Sequence, residues 1–137
     1  MNKGIGQYRQ IGVETALENA SPHRLIQLLF EGALSQLANV KGAIANRDTV
    51  RLQTSIKKAS NILVGLEEGL DLEKGGDIAA NLEALYQYMQ TELLAVQVSM
   101  KEEKVDALIN LLADIKSGWD AISPEKLASS QEASQKV

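Results

Sequence analysis

Few residues in this chain have the type and spacing to do chemistry. An enzyme or metal centre needs groups that transfer protons, attack or coordinate, usually drawn from a cluster of His, Cys or paired carboxylates. His23 is the one histidine in 137 residues, and cysteine is absent. It stands two residues past a Ser21-Pro22 helix start, where the first turn normally faces water, and nothing beside it in sequence suggests a second ligand. His23 is therefore read as a plain surface residue whose change to Ala should leave partner binding nearly intact. The adjacent acids Glu67-Glu68 and Glu102-Glu103 point in different directions on a helix, whereas di-metal bundles use inward Glu with Glu-x-x-His. Gly4-Ile5-Gly6 is a fragment of a phosphate loop without the strand before it or the later glycine. Asn19-Ala20-Ser21 fits a glycosylation acceptor but reads better as the approach to a helix cap. The expectation is no catalysis, no cofactor and no metal.

Composition narrows the partners. A net charge of −4 with acids and bases interspersed offers no basic stripe for nucleic acid or anionic lipid. No stretch approaches the ~18 apolar residues of a membrane span, and Met1 to Tyr8 lacks the apolar run of a secretory signal. The absence of cysteine suits a reducing compartment. Together these point to a cytoplasmic protein without membrane insertion, and the length suits one domain.

Helical spacing fills most of the chain and predicts an all-α antiparallel four-helix bundle over residues 21–122. Ser21 can cap the first helix with Pro22 at its first position, where a missing N–H costs nothing. Its apolar stripe runs Ile26, Leu29 or Phe30, Ala33, Leu37, Val40, Ile44. The second helix, capped by Asp48, carries Leu52, Ile56, Ala59, Leu63, Leu66, Leu70. Gly75-Gly76 supplies the next reversal and Asp77 the next cap. The third stripe reads Ile78, Leu82, Leu85, Met89, Leu93, Val96, Met100, and the fourth Val105, Leu108, Leu112, Ile115, Trp119, Ile122. Connections this short favour antiparallel neighbours. Residues 1–20 form an apolar but glycine-weakened arm, and residues 123–137 a tail expected to be mobile.

The stripes leave large apolar residues over: Leu25, Leu28, Ile62, Val64, Tyr86, Tyr88, Leu94, Val98, Ile109 and Leu111. Either the core stripe is wider than two positions in seven, or an apolar strip runs over helix exteriors and marks a partner site. Ile62, Gly65 and Gly69 follow one another on one flank of the second helix. The two glycines weaken it there, to relieve crowding or to open a groove for another helix.

The segments Ala20-Ser21-Pro22-His23-Arg24-Leu25-Ile26-Gln27-Leu28-Leu29-Phe30-Glu31-Gly32-Ala33-Leu34 and Leu70-Asp71-Leu72-Glu73-Lys74-Gly75-Gly76-Asp77, continuing through Tyr86 to Met89, resemble the two signatures of the flagellar export chaperone family FliS. Trp119 stands where that family's last helix usually carries one, and Phe30 replaces a frequent tyrosine. The resemblance implies a cytoplasmic chaperone that binds the C-terminal segment of flagellin, prevents premature polymerisation and keeps it exportable. Other flagellar export or regulatory proteins are further partners it would allow. It also implies that the arm around Tyr8 covers part of the groove until flagellin displaces it. With the residues left over, the expected partner-binding set is Tyr8, Leu25, Leu28, Ile62, Gly65, Gly69, Tyr86 and Leu94. A histidine-phosphotransfer bundle is the rival reading, weakened by the position of His23, and a structural subunit of a larger assembly is the third.

Overall fold

The computed structural model describes residues 21–122. They form four α-helices: α1 Pro22–Ala45, α2 Thr49–Glu68, α3 Leu72–Ser99 and α4 Glu102–Asp120. The expected arm, with Tyr8, and the expected tail lie outside the described residues.

Local chemistry sets the helix starts. The Ser21 hydroxyl accepts from Arg24 N at 3.1 Å ahead of Pro22, Asp48 accepts from Arg51 N at 3.0 Å, and Asp71 from Lys74 N at 3.0 Å. Each satisfies one N–H that the first turn cannot bond internally. Lys101, before α4, makes no side-chain cap. Glu102 and Glu103 in the first turn instead place negative charge against the positive end of the helix dipole. The α1–α2 link closes within three residues, Asp48 N reaching Ala43 O at 2.9 Å while Arg47 takes a left-handed φ of 52°.

Cross-helix contacts fix the directions. His23 at the start of α1 meets Trp119 at the end of α4, whereas Lys41 near the end of α1 pairs with Asp106 near the start of α4. These helices therefore run antiparallel. Helix α1 packs against α2 and α4, and α2 against α3, while the contact between α3 and α4 is the sparsest of the four neighbouring pairs. Phe30, Leu37 and Val40 on α1, Leu52 and Leu63 on α2, Met89, Leu93 and Val96 on α3, and Val105 and Leu112 on α4 are sealed in one core. The stripes read for α1, α2 and α4 hold.

Helix α3 differs from its expected stripe. Its cap is Asp71, not the expected Asp77 further along the chain, and Gly76 interrupts the helix with φ 56° and ψ −134°. Only glycine takes that conformation without strain. Beyond the kink the buried row is Ala79, Tyr86, Met89, Leu93 and Val96, with Leu82 half-buried, and Ile78 is 64% exposed. The two candidate rows, Ile78 with Leu85 and Ala79 with Tyr86, flank the same inward line at helical spacing. Small Ala79 and the large ring of Tyr86 go inward, and Ile78 is left facing an opening at this end of the bundle.

Candidate functional site

That opening is an apolar groove of about 690 Å³. Its walls are the N-terminal turns of α1 (Pro22, Leu25, Ile26, Leu29, Phe30), the end of α2 (Gly65, Leu66, Gly69, Leu70), the start of α3 (Ile78, Leu82, Tyr86) and the end of α4 (Asp114, Ile115, Gly118, Trp119, Ile122). The groove exists because α3 and α4 meet at the opposite end of the bundle, where Tyr88 and Glu92 face Glu103 to Leu111 across a smaller hollow of about 260 Å³. Glycines keep it open. A Cβ on Gly65 or on Gly118 would meet nothing within 4 Å, so both face empty space. A Cβ on Gly69 would make only ordinary contact with the carbonyls of Gly65 and Leu66 at 3.5 Å.

Four of the expected site residues line the groove: Leu25, Gly65, Gly69 and Tyr86. Tyr86 was expected on a helix exterior, yet it is only 3% exposed, because the inward row of α3 passes through it. Leu28 and Ile62 are half-buried outside the groove, and Ile62 Cδ1 instead packs 3.3 Å from where a Cβ of Gly32 would stand. Leu94 is 62% exposed, away from both hollows. Of the remaining leftovers, Val64, Tyr88 and Val98 are exposed, while Ile109 and Leu111 pack against the core. The "wider stripe" and "exposed strip" readings thus divide the set between them. Sequence reasoning did not single out Gly118. Its signal was a glycine inside the amphipathic run of α4, one turn past Asp114 and Ile115.

His23 is not a surface residue. It is 5% exposed, and its imidazole stacks on the Trp119 indole with centroids 5.2 Å apart and planes 15° from parallel. Its Nε2–H donates to the Trp119 carbonyl at 2.9 Å, and the indole Nε1–H donates back to the His23 carbonyl at 3.0 Å. The first turn of α1 faces the last turn of α4 here, so the solvent that usually bathes a helix start is replaced by a ring. Since Pro22 and Trp119 both line the groove, this reciprocal pair fixes one wall.

Around it the rim is polar. Arg24 pairs with Glu31 at 2.9 Å, Gln27 donates to Asp120 at 2.7 Å, and Lys116 holds Asp120 from the other side. The hydrogen bond from Lys116 holds the Asp120 carboxyl below its ordinary value. Among the described residues no group of three or more His, Asp or Glu could hold a metal ion.

Burial pushes the Tyr86 phenol up to about 12 from its ordinary 10. The fold thus favours the neutral hydroxyl, and the unfolded chain ionises first. Stability is complete below pH ~10 and falls as pH rises towards ~12, by about 2 to 3 kcal/mol from this residue. Urea melts at about pH 9 and about pH 12 should show Tyr86→Phe losing less stability than the parent chain. Equal losses would mean that the fold does not raise the phenol above its ordinary ionisation.

A family model described as flagellar protein FliS matches residues 4–126. The chain belongs to the FliS family. It is 42% identical over 131 residues to the flagellar secretion chaperone FliS of Salmonella typhimurium, covering 95% of this chain and 96% of that protein. It is also 42% identical over 121 residues to the flagellar secretion chaperone FliSB of Pseudomonas aeruginosa, covering 88% and 96%. The Bacillus subtilis FliS is 27% identical over 120 residues, covering 87% and 86%. The FliS match places the chain in a family of flagellar secretion chaperones, and the groove shows where such a helical bundle offers apolar surface. No helix among the described residues is long and apolar enough to cross a membrane.

Proposed function

We propose that this protein is a cytoplasmic export chaperone that takes the C-terminal segment of flagellin into the groove between its four helices. The single observation that carries this is an open, glycine-lined apolar groove in a chain of the FliS family. Small residues on α2 and α4 let a helix approach closely, and Leu25, Ile78, Leu82 and Ile115 offer side chains for its apolar face. A disordered segment that folds there offsets its ordering entropy by burying apolar surface, and no nucleotide is needed. Held in this way, the segment is withheld from polymerisation. The arm around Tyr8 is a competitor for the same surface in this reading, and other flagellar export proteins would meet the chain elsewhere.

Calorimetric titration with the cognate flagellin C-terminal segment tests the proposal. The expected result is saturable binding with a negative heat-capacity change, the mark of apolar burial. Binding should be no weaker in a chain lacking residues 1–18. No heat and no shift in the melting midpoint at excess peptide would sink the proposal.

A further inference from the structure

Two polar groups interrupt the groove's apolar lining. Tyr86 is almost wholly buried, yet its hydroxyl has no hydrogen-bond partner among the described residues. Ser99 Oγ is the enclosed side-chain polar atom without a partner among the described residues, whereas Tyr86 borders the open space of the groove. Burial favours the neutral phenol, which can still donate. Asp114 is the one charged side chain that the described residues contribute to the lining, and none of the ion pairs among them uses it: Arg24 pairs with Glu31, Lys41 with Asp106 and Lys116 with Asp120.

We propose that the Tyr86 hydroxyl and the Asp114 carboxylate are the groove's specificity determinants. They select an amphipathic segment with a hydrogen-bonding side chain (Asn, Gln, Ser or Thr) inside its apolar face and a Lys or Arg on its flank. The inference rests on the groove being the partner site. A purely apolar helix seated there would cover the Tyr86 hydroxyl without replacing its hydrogen bond, and a desolvated polar group left unpaired disfavours the complex. A site built to bond a polar group thereby rejects the analogue that lacks it. Asp114 is exposed at the rim, so its effect on a cation is smaller and is screened by salt. An acidic flank would meet repulsion at the same place.

The test is titration of the cognate flagellin C-terminal segment against four variants, with melting curves for each. Tyr86→Phe keeps the ring and is expected to weaken binding about fivefold. Asp114→Asn should weaken it about threefold at low salt, the difference closing at about 1 M salt. Tyr88→Phe, on the exposed flank of α3 where its hydroxyl meets Glu92, should change nothing. Gly65→Trp serves as the reference that obstructs the groove. If Gly65→Trp abolishes binding while Tyr86→Phe and Asp114→Asn match the parent, the groove stands and the polar selection is overturned. If Gly65→Trp also binds like the parent, the groove reading itself has failed. A salt-independent loss in Asp114→Asn would likewise overturn the charge component.

Discussion

A Gly65→Trp chain should melt no lower than the parent and bind the flagellin segment at least about thirtyfold more weakly. Both halves follow from one observation, that a Cβ at position 65 meets nothing within 4 Å. A side chain there enters the groove, not the core, so the bundle has nothing to move aside. Glycine inside a helix costs about 1 kcal/mol relative to alanine, and tryptophan, a middling helix former, recovers about half of that, so the replacement can raise stability. An indole fills a substantial part of a groove of about 690 Å³ and occupies the apolar surface that a docked helix needs. A loss of thirtyfold is about 2 kcal/mol, the size of one hot-spot residue. Melting curves beside titrations of the same preparation separate the effects. Lower stability with unchanged binding would mean that Gly65 relieves crowding, the alternative that the sequence left open.

The sequence and the structure agree where periodicity is the governing physics. Leu37, Val40, Leu63, Leu93 and Leu112 are legible as core because a 3.6-residue period puts them on one line, whatever their partners are. The caps at Ser21 and Asp48 are legible because capping is a local hydrogen bond. What failed needed information from another helix. Tyr86 and Ile78 sit on opposite flanks of a single inward line, and only the positions of the neighbouring helices decide which flank is covered. His23 looks exposed from its own helix. It is buried because Trp119, 96 positions later, lies over it. The groove was half legible: Gly65 and Gly69 marked its α2 wall, but the opposing Gly118 and Asp114 are brought there by antiparallel packing. Two polar groups spaced across an apolar lining leave no periodic trace.

Removing the Trp119 side chain should be among the most costly single changes in this bundle, and His23→Ala should be close behind. Trp119→Ala deletes a half-buried indole from the edge of the core, together with its donation to the His23 carbonyl, at a cost of about 3 kcal/mol. His23→Ala removes a buried ring and its bond to the Trp119 carbonyl. That carbonyl still accepts from Ile122 N at 3.1 Å, so it is not orphaned, and the cost is nearer 2 kcal/mol. Each hydrogen bond runs from one side chain to the other residue's backbone carbonyl and survives truncation of the other side chain, so only the stack is lost in both variants, and there their losses overlap. The double variant should lose about 4 kcal/mol, leaving a coupling of about 1 kcal/mol, the size of one aromatic stack. Urea unfolding of the four chains measures each term, with unchanged slopes showing that the same surface is exposed. His23 does not itself line the groove, so at temperatures where His23→Ala is folded its flagellin affinity should fall less than about tenfold, whereas Trp119→Ala removes part of the wall. Additive losses, with no coupling, would reduce the pair to two independent packing contacts. A measurable coupling makes it the clamp that ties the first turn of α1 to the last turn of α4 and holds that wall of the groove in place.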